Sequence, residues 1–337
     1  MAMRAAVLVE QEQMDVKELE APEAGRGEVL IRVRSCGICG TDQHIYHGHP
    51  GSAEVHPPIV LGHELSGEVV AVGQGVSSLK EGDRVSVDPN IYCGSCEFCR
   101  SGRLHLCDRL QAVGVTRDGG MAECCLVPAE NCYIIPDAMS YEEAALLEPL
   151  GCVLHGFRKL DIRPQHQVLI IGGGFIGQIF LQLVRECGVS RITVSEPASY
   201  KHETLRSLGA DAVVLPLDPE TVDALASSAD VVIECVGRTD SVQTAVRAAR
   251  KGGQVLLFGV AAPDAEAAIR PFDIFSKELR IMGSFINPFT HTDAIQLVSR
   301  GKVQLAPLIS HRFTLEQLPD AMRNYPQLGV SKGIVQI

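Results

Sequence analysis

Four cysteines, Cys93, Cys96, Cys99 and Cys107, fall within fifteen residues in the spacing C-x2-C-x2-C-x7-C. Four thiolates so close together can close a tetrahedral shell around one Zn²⁺ ion. A shell filled by protein leaves no position for substrate, so the expected metal is structural. Reduced surface thiols or a disulfide cluster are the alternative, and the short, even spacing suits a metal knuckle better than paired bridges. A second constellation is looser. Cys39 lies in CGICGTD, His63 and Glu64 in LGHELSG, and Glu148 in ALLEPLG. A thiolate, an imidazole and a carboxylate suit a catalytic zinc that keeps a fourth position for water or a substrate oxygen. Each residue also has a plain reading: a core cysteine beside glycines, a structural histidine, a helix-capping carboxylate before Pro149. Residue types and spacing leave that choice open.

A third stretch, Gly172-Gly173-Gly174-Phe175-Ile176-Gly177, matches G-x-G-x-x-G and follows the strand-like Val168–Ile171. Gly172 would permit the tight turn and Gly174 the close approach of a pyrophosphate. Gly177 would let helix pack on strand, while the helix N-terminus, with Ile176 in its first turn, supplies amides and positive dipole. Ile176, Phe180, Leu183, Val184 and Cys187 share one helical face, so a helix is expected after the turn. Glu196 lies 24 residues past Gly172, at the end of the next strand, placed to accept hydrogen bonds from a ribose 2′-hydroxyl. A carboxylate there repels a 2′-phosphate, so NAD rather than NADP is expected. Lys201 is a nearby cation at the adenosine end.

These residues need two kinds of scaffold. Glu28–Ser35 alternates strictly, with Val29, Ile31 and Val33 on one face and Arg32 and Arg34 on the other, and short apolar runs at Glu68–Val72 and Arg84–Val87 follow. The first 150 residues therefore read as a mostly β, barrel-like domain. From Gln167 strands and helices alternate: VLIIG, a helix from about Phe175, RITVSEP, a helix over His202–Leu208, then DAVVLP. Further strands are expected at Asp230–Val236, Gln254–Phe258 and Arg280–Met282, and a last one at Gly333–Ile337. Alternation of this kind predicts a doubly wound parallel sheet, an α/β domain. The 337 residues suffice for two domains at ~150 residues each. A net charge of −11 argues against a nucleic-acid partner and against an anionic membrane surface. The apolar stretch Val168–Val184 carries four glycines and two glutamines and is short for a membrane span. Twelve cysteines with no recognisable export signal imply a reducing cytoplasm.

In this order CGICGTD–H, GHE, the four-cysteine knuckle, LLEPLG and GGGFIG resemble the zinc-dependent medium-chain dehydrogenases, in the sorbitol, threonine and butanediol dehydrogenase branch. The resemblance runs nearly the whole length. It implies a GroES-like catalytic domain over 1–150, joined again by 290–337, and a Rossmann NAD-binding domain over 151–289. It further implies two zincs per chain. Cys39 and His63 match ligands of the catalytic zinc, and Glu148 stands where the polyol branch carries a glutamate. Glu64 matches a glutamate that ligates zinc in some members and lies behind it in others, and the sequence leaves the two carboxylates unresolved. Thr41 and His44 are similar in placement to the family's proton relay, and Phe258–Val260 (with Gly259 between) and Ser284–Phe285 to its nicotinamide contacts. The implied activity is transfer of a hydride from a secondary alcohol to NAD, in a homodimer or homotetramer whose edge strand lies near Arg280–Ser284.

For the substrate, a chain with no Trp offers no obvious aromatic pocket for a bulky alcohol. A polyol or sugar derivative is the first expectation, with L-threonine and 2,3-butanediol as alternatives. A nucleotide-binding relic without catalysis is the non-enzymatic reading, and it would be expected to have lost Cys39, His63 or Glu148. His47, His49 and His56 are expected at the surface. Cys36, Cys124, Cys125, Cys132, Cys152, Cys187 and Cys235 read as packed small apolar residues.

Overall fold

The alternating strand that begins at Glu28 does not stop at Ser35 but runs on to Ile38. Its first half buries Val29, Ile31 and Val33 and leaves Arg32 exposed, as the pattern predicts. Beyond Arg34 the alternation ends, and Ser35, Cys36, Gly37 and Ile38 are all buried. The reason lies in its neighbours: Glu64–Val72 pairs on one edge and Gly333–Gln336 on the other, both antiparallel. In this computed structural model, which describes residues 2–216 and 225–337, the strand belongs to a seven-stranded sheet. That sheet is accompanied by a three-stranded one containing Ala2–Glu10. Ile31, Val33, Leu65, Val69, Val85 and Val127 pack into one core of this unit.

The chain divides into two compact units, Met1–Gly151 with Ile286–Ile337, and Cys152–Phe285. The second unit is built on a six-stranded, all-parallel sheet. Its spatial order is Ala212–Val214, Arg191–Ser195, Gln167–Ile171, Ala229–Glu234, Ala249–Leu257, Arg280–Gly283. Numbered along the unit this is 3-2-1-4-5-6, the doubly wound dinucleotide-binding order, with the reversal of direction beside Gln167–Ile171. Helix Phe175–Glu186 follows the first strand, but it is buried on more than the expected face. Gln178 and Gln182 lie inside as well, and Gln178 donates to the Gly173 carbonyl at 3.0 Å. Buried amides of this kind are tolerated because they find backbone acceptors.

The apolar stretch Val168–Val184 thus splits between a strand and a helix, and no helix among the described residues is long and apolar enough to cross a membrane. All twelve cysteines are free thiols. Of those expected in packed positions, Cys36 and Cys125 are buried and the other five half-buried. His47, His49 and His56 are exposed.

The return segment is fixed to the β unit by buried polar contacts. Asn287 accepts from the Asn90 amide at 2.6 Å, and Asn90 is held in turn by Asp88. His291 is buried against Tyr133, its Nε2 lying 2.8 Å from the Ser86 hydroxyl. That hydroxyl gives its one proton to the Ala144 carbonyl, so Nε2 must be the donor and Nδ1 the bare nitrogen. Burial lowers the His291 pKa to about 3. A histidine whose pKa falls on folding leaves the unfolded chain binding more protons. Its contribution is therefore present above the unfolded pKa and lost as pH falls through ~6.5 toward 3. Between pH 7 and 5 this loss amounts to about 2 kcal/mol, and His291→Gln should flatten the stability–pH curve by that amount in urea titrations. An unchanged slope would remove His291 as its source.

Candidate active site

Three strand ends that are distant in sequence meet at one end of the seven-stranded sheet. The strand Glu28–Ile38 delivers Cys39 directly, the strand beginning at Glu64 carries His63 on its lip, and Gly333 pairs opposite Ile38. The antiparallel register sets Glu64 opposite Gly37, and a Cβ on Gly37 would come 1.9 Å from the Glu64 Oε2. Only glycine leaves room for that carboxylate. Ligand atoms of Cys39, His63 and Glu64 lie within 4.8 Å of one another. Glu148, buried near the start of helix Leu147–Phe157, is not one of this group.

Two residues that the sequence reading passed over organise the group. Asp42, fully buried, accepts the Cys39 amide at 2.8 Å through Oδ2 and sets Oδ1 3.4 Å from His63 Nδ1. It thus starts helix Gly40–Tyr46 and turns the other ring nitrogen of His63 toward the cluster, the usual carboxylate–histidine arrangement behind a metal. Burial alone would lower the His63 pKa, but the charges of Asp42 and Cys39 outweigh it and raise it well above the ordinary value. The second residue is Lys332. Its ammonium is buried, 2.6 and 2.5 Å from the two Glu64 oxygens and 3.1 Å from the Ile38 carbonyl. The position of Asp42 three residues after Cys39 is a helix-start signal that could have been read. Nothing marks the lysine in SKGIVQI.

Thr41 and His44 sit three residues apart on the same short helix, and so on one face of it. Both are half-buried. Burial, then the neighbouring His49 and His47, lowers the His44 pKa and keeps the imidazole neutral near neutrality. The His44 and His49 rings meet edge to face at 6.3 Å, and His49 is exposed.

The four knuckle cysteines form the other ligand group, again with sulfurs within 4.8 Å. Cys93 and Cys99 sulfurs are 3.9 Å apart, close to the ~3.8 Å edge of a tetrahedron with Zn–S bonds of about 2.3 Å. Backbone amides of Cys96, Cys99 and Arg109 point at the sulfurs of Cys93, Cys96 and Cys107 at 3.4 Å, which favours thiolates. The amides of Ser95 and Cys96 lower Cys93 to about 5. Both groups fit zinc by donor chemistry and spacing.

In the second unit each glycine of the turn meets a distinct requirement. Gly172 has φ +100°, a Cβ on Gly174 would meet open space, and one on Gly177 would strike the Gly172 carbonyl at 1.9 Å. Ile176 is half-buried in the first turn of the helix. Glu196 is buried and its carboxylate accepts from the Gly173 amide and the Ala198 amide, each at 2.9 Å. Lys201 Nζ lies 3.7 Å from Glu196 Oε1. The Phe258 ring packs on Phe180, Gly259 is half-buried, Val260 is exposed, Ser284 half-buried and Phe285 exposed.

The Alcohol dehydrogenase GroES-like domain family matches residues 25–137, and the Zinc-binding dehydrogenase family matches 176–300. The chain is 32% identical to the sorbitol dehydrogenase of Bacillus subtilis, over 95% of this chain and 92% of that one. It is 34% identical to the L-threonine 3-dehydrogenase of Serratia proteamaculans, over 91% and 92%. The crystal structure of a zinc-binding dehydrogenase from Sinorhizobium meliloti bound to NADP superposes with a TM-score of 0.95 at 39% identity, covering all of both chains. The chain belongs to the zinc-dependent medium-chain dehydrogenases. It is an oxidoreductase that uses zinc and a nicotinamide dinucleotide.

Removing one partner of a buried ion pair strands the other charge, at a cost of about 3–5 kcal/mol. Lys332→Met should lower stability by that amount in urea titrations and weaken zinc retention on dialysis. The double variant Lys332→Met/Glu64→Gln should recover most of the stability, because no charge is left buried. Equal losses in the single and double variants would exclude the pair as the cause.

Proposed function

We propose that this enzyme oxidises a secondary hydroxyl of a polyol or related sugar derivative with NAD. The observation that carries the reading is the Cys39–His63–Glu64 group, a half-buried thiol beside a buried imidazole and carboxylate, a three-ligand set of the kind that leaves a catalytic zinc open to substrate. When bound, zinc polarises the substrate hydroxyl and the dinucleotide accepts the hydride. Cys39 and His63 hold the metal, and a glutamate, Glu64 or Glu148, completes the set. The one whose conversion to glutamine releases the metal is the ligand. Asp42 orients His63. Thr41 takes the hydroxyl proton as it releases its own, and His44, half-buried and neutral, accepts the released proton and carries it outward. Gly172, Gly174, Ile176 and Gly177 seat the pyrophosphate, while Glu196 holds the adenosine ribose with Lys201 beside it. Phe258–Val260 and Ser284–Phe285 border the nicotinamide ribose and ring.

The buried Glu196 carboxylate supports NAD over NADP, although the S. meliloti relative is bound to NADP. L-Threonine is the second reading, favoured by the threonine dehydrogenase among the relatives and by the loop Thr41–Tyr46. The twelve free thiols suit a reducing cytoplasm, and the outer strand Arg280–Gly283 supplies an edge through which copies of the chain would associate as a dimer or tetramer.

The test is an NAD-reduction screen over polyols, sugar phosphates, L-threonine and butanediol isomers, with metal analysis in parallel. Two zincs per chain and turnover on a polyol are expected, with NAD used faster than NADP at equal concentration. One zinc and no turnover would leave a nucleotide-binding relic. Cys39→Ser and His63→Ala should abolish turnover with the knuckle zinc retained, and a fully active Cys39→Ser protein would overturn the assignment. His44→Ala should slow turnover by roughly 100-fold, most at the acid end of the profile, where fewer hydroxides replace the lost base.

A further inference from the structure

Glu234 ends the fourth strand of the parallel sheet and is fully buried, yet nothing in the proposed chemistry uses it. Its Oε1 accepts three hydrogen bonds, from the Val236 amide at 2.8 Å, the Gly237 amide at 2.9 Å and the Ser241 hydroxyl at 2.7 Å. Its backbone carbonyl receives the amides of Phe258 and Gly259, both at 2.9 Å. One residue therefore ties together the loop after its own strand and the segment after the next strand. These two are interlocked. A Cβ on Gly259 would lie 2.1 Å from the Gly237 amide nitrogen, and one on Gly237 would lie 2.4 Å from the Val260 carbonyl oxygen. The loop also reaches the phosphate turn, since a Cβ on Gly172 would meet the Val236 side chain at 2.8 Å. Val236 and Val260 remain 42% and 70% exposed, an apolar lip with no side chain of its own to cover.

We infer that Glu234 is a positioning residue for the nicotinamide half of the cofactor. A carboxylate buried without a charged partner is costly, and three donors on one oxygen offset that cost only if the loop stays where they are. The carboxylate thereby fixes the Val236–Val260 lip at a set height above the glycine turn, ready for a flat ring. The inference rests on the proposed seating of the nicotinamide beside Phe258–Val260.

The experiment compares the affinities of NADH and ADP-ribose, which lacks only the nicotinamide, by calorimetry on the zinc-loaded enzyme. Glu234→Ala should weaken NADH by about tenfold and leave ADP-ribose within about twofold of wild type. Glu234→Gln, which keeps an acceptor oxygen in place, should restore most of the NADH affinity. Should Glu234→Ala fail to fold, Gly259→Ala decides, because its methyl forces the two segments apart and should produce the same selective loss. Equal weakening of both ligands, or of neither, in the folded variant would overturn the inference. Wild-type protein that binds neither ligand would instead overturn the dinucleotide reading on which it depends.

Discussion

A carboxylate with no access to water needs a counter-charge or several hydrogen-bond donors, and at this site the counter-charge shapes the whole sheet end. Glu64 is fully buried and faces the ammonium of Lys332, itself 4% exposed. The pair forms only if the last strand runs beside Glu28–Ile38 and only if residue 37 has no side chain. The same lysine also accepts the geometry of the strand that delivers Cys39, since it donates to the Ile38 carbonyl. The gathering of Cys39, His63 and Glu64 and the closure of the sheet by the C-terminal segment are therefore one packing problem.

Buried carboxylates recur as fixed points through the molecule, each partnered in its own way. Asp42 spends one oxygen on starting a helix and turns the other toward a histidine ring. Glu196 takes two backbone amides and stands beside a lysine. Glu234 takes two amides and a hydroxyl on a single oxygen. Low dielectric makes each of these contacts expensive to lose, which is why such groups hold the segments they touch in place. All four sit at the ends of strands or helices, and three of them, Asp42, Glu196 and Glu234, collect the backbone amides left free there.

Much of this was legible in the chain. The four-cysteine knuckle, the glycine turn and the strand–helix alternation are local signals, written in spacing and period. The expected strand Arg84–Val87 and the helix from Phe175 begin where the sequence places them. The strand from Glu28 was read too short, because beyond Arg34 both faces are covered and the alternation that marks a half-buried strand disappears. Gln178 and Gln182 broke the expected helical face for a related reason: their amides are satisfied by nearby carbonyls, and polarity then no longer means exposure.

What the sequence by itself determined were the features that short segments carry alone, four thiols within reach of one another and glycines at a turn between strand and helix. Only the tertiary structure decided how distant pieces share charge. Lys332 and Glu64 are 268 residues apart and meet because Gly333 pairs with Ile38, a register no local pattern encodes. Placing Glu148 outside the Cys39–His63–Glu64 group was likewise a matter of packing. Spacing fixes what neighbours in the chain can do together; long-range strand pairing fixes which buried charge answers which.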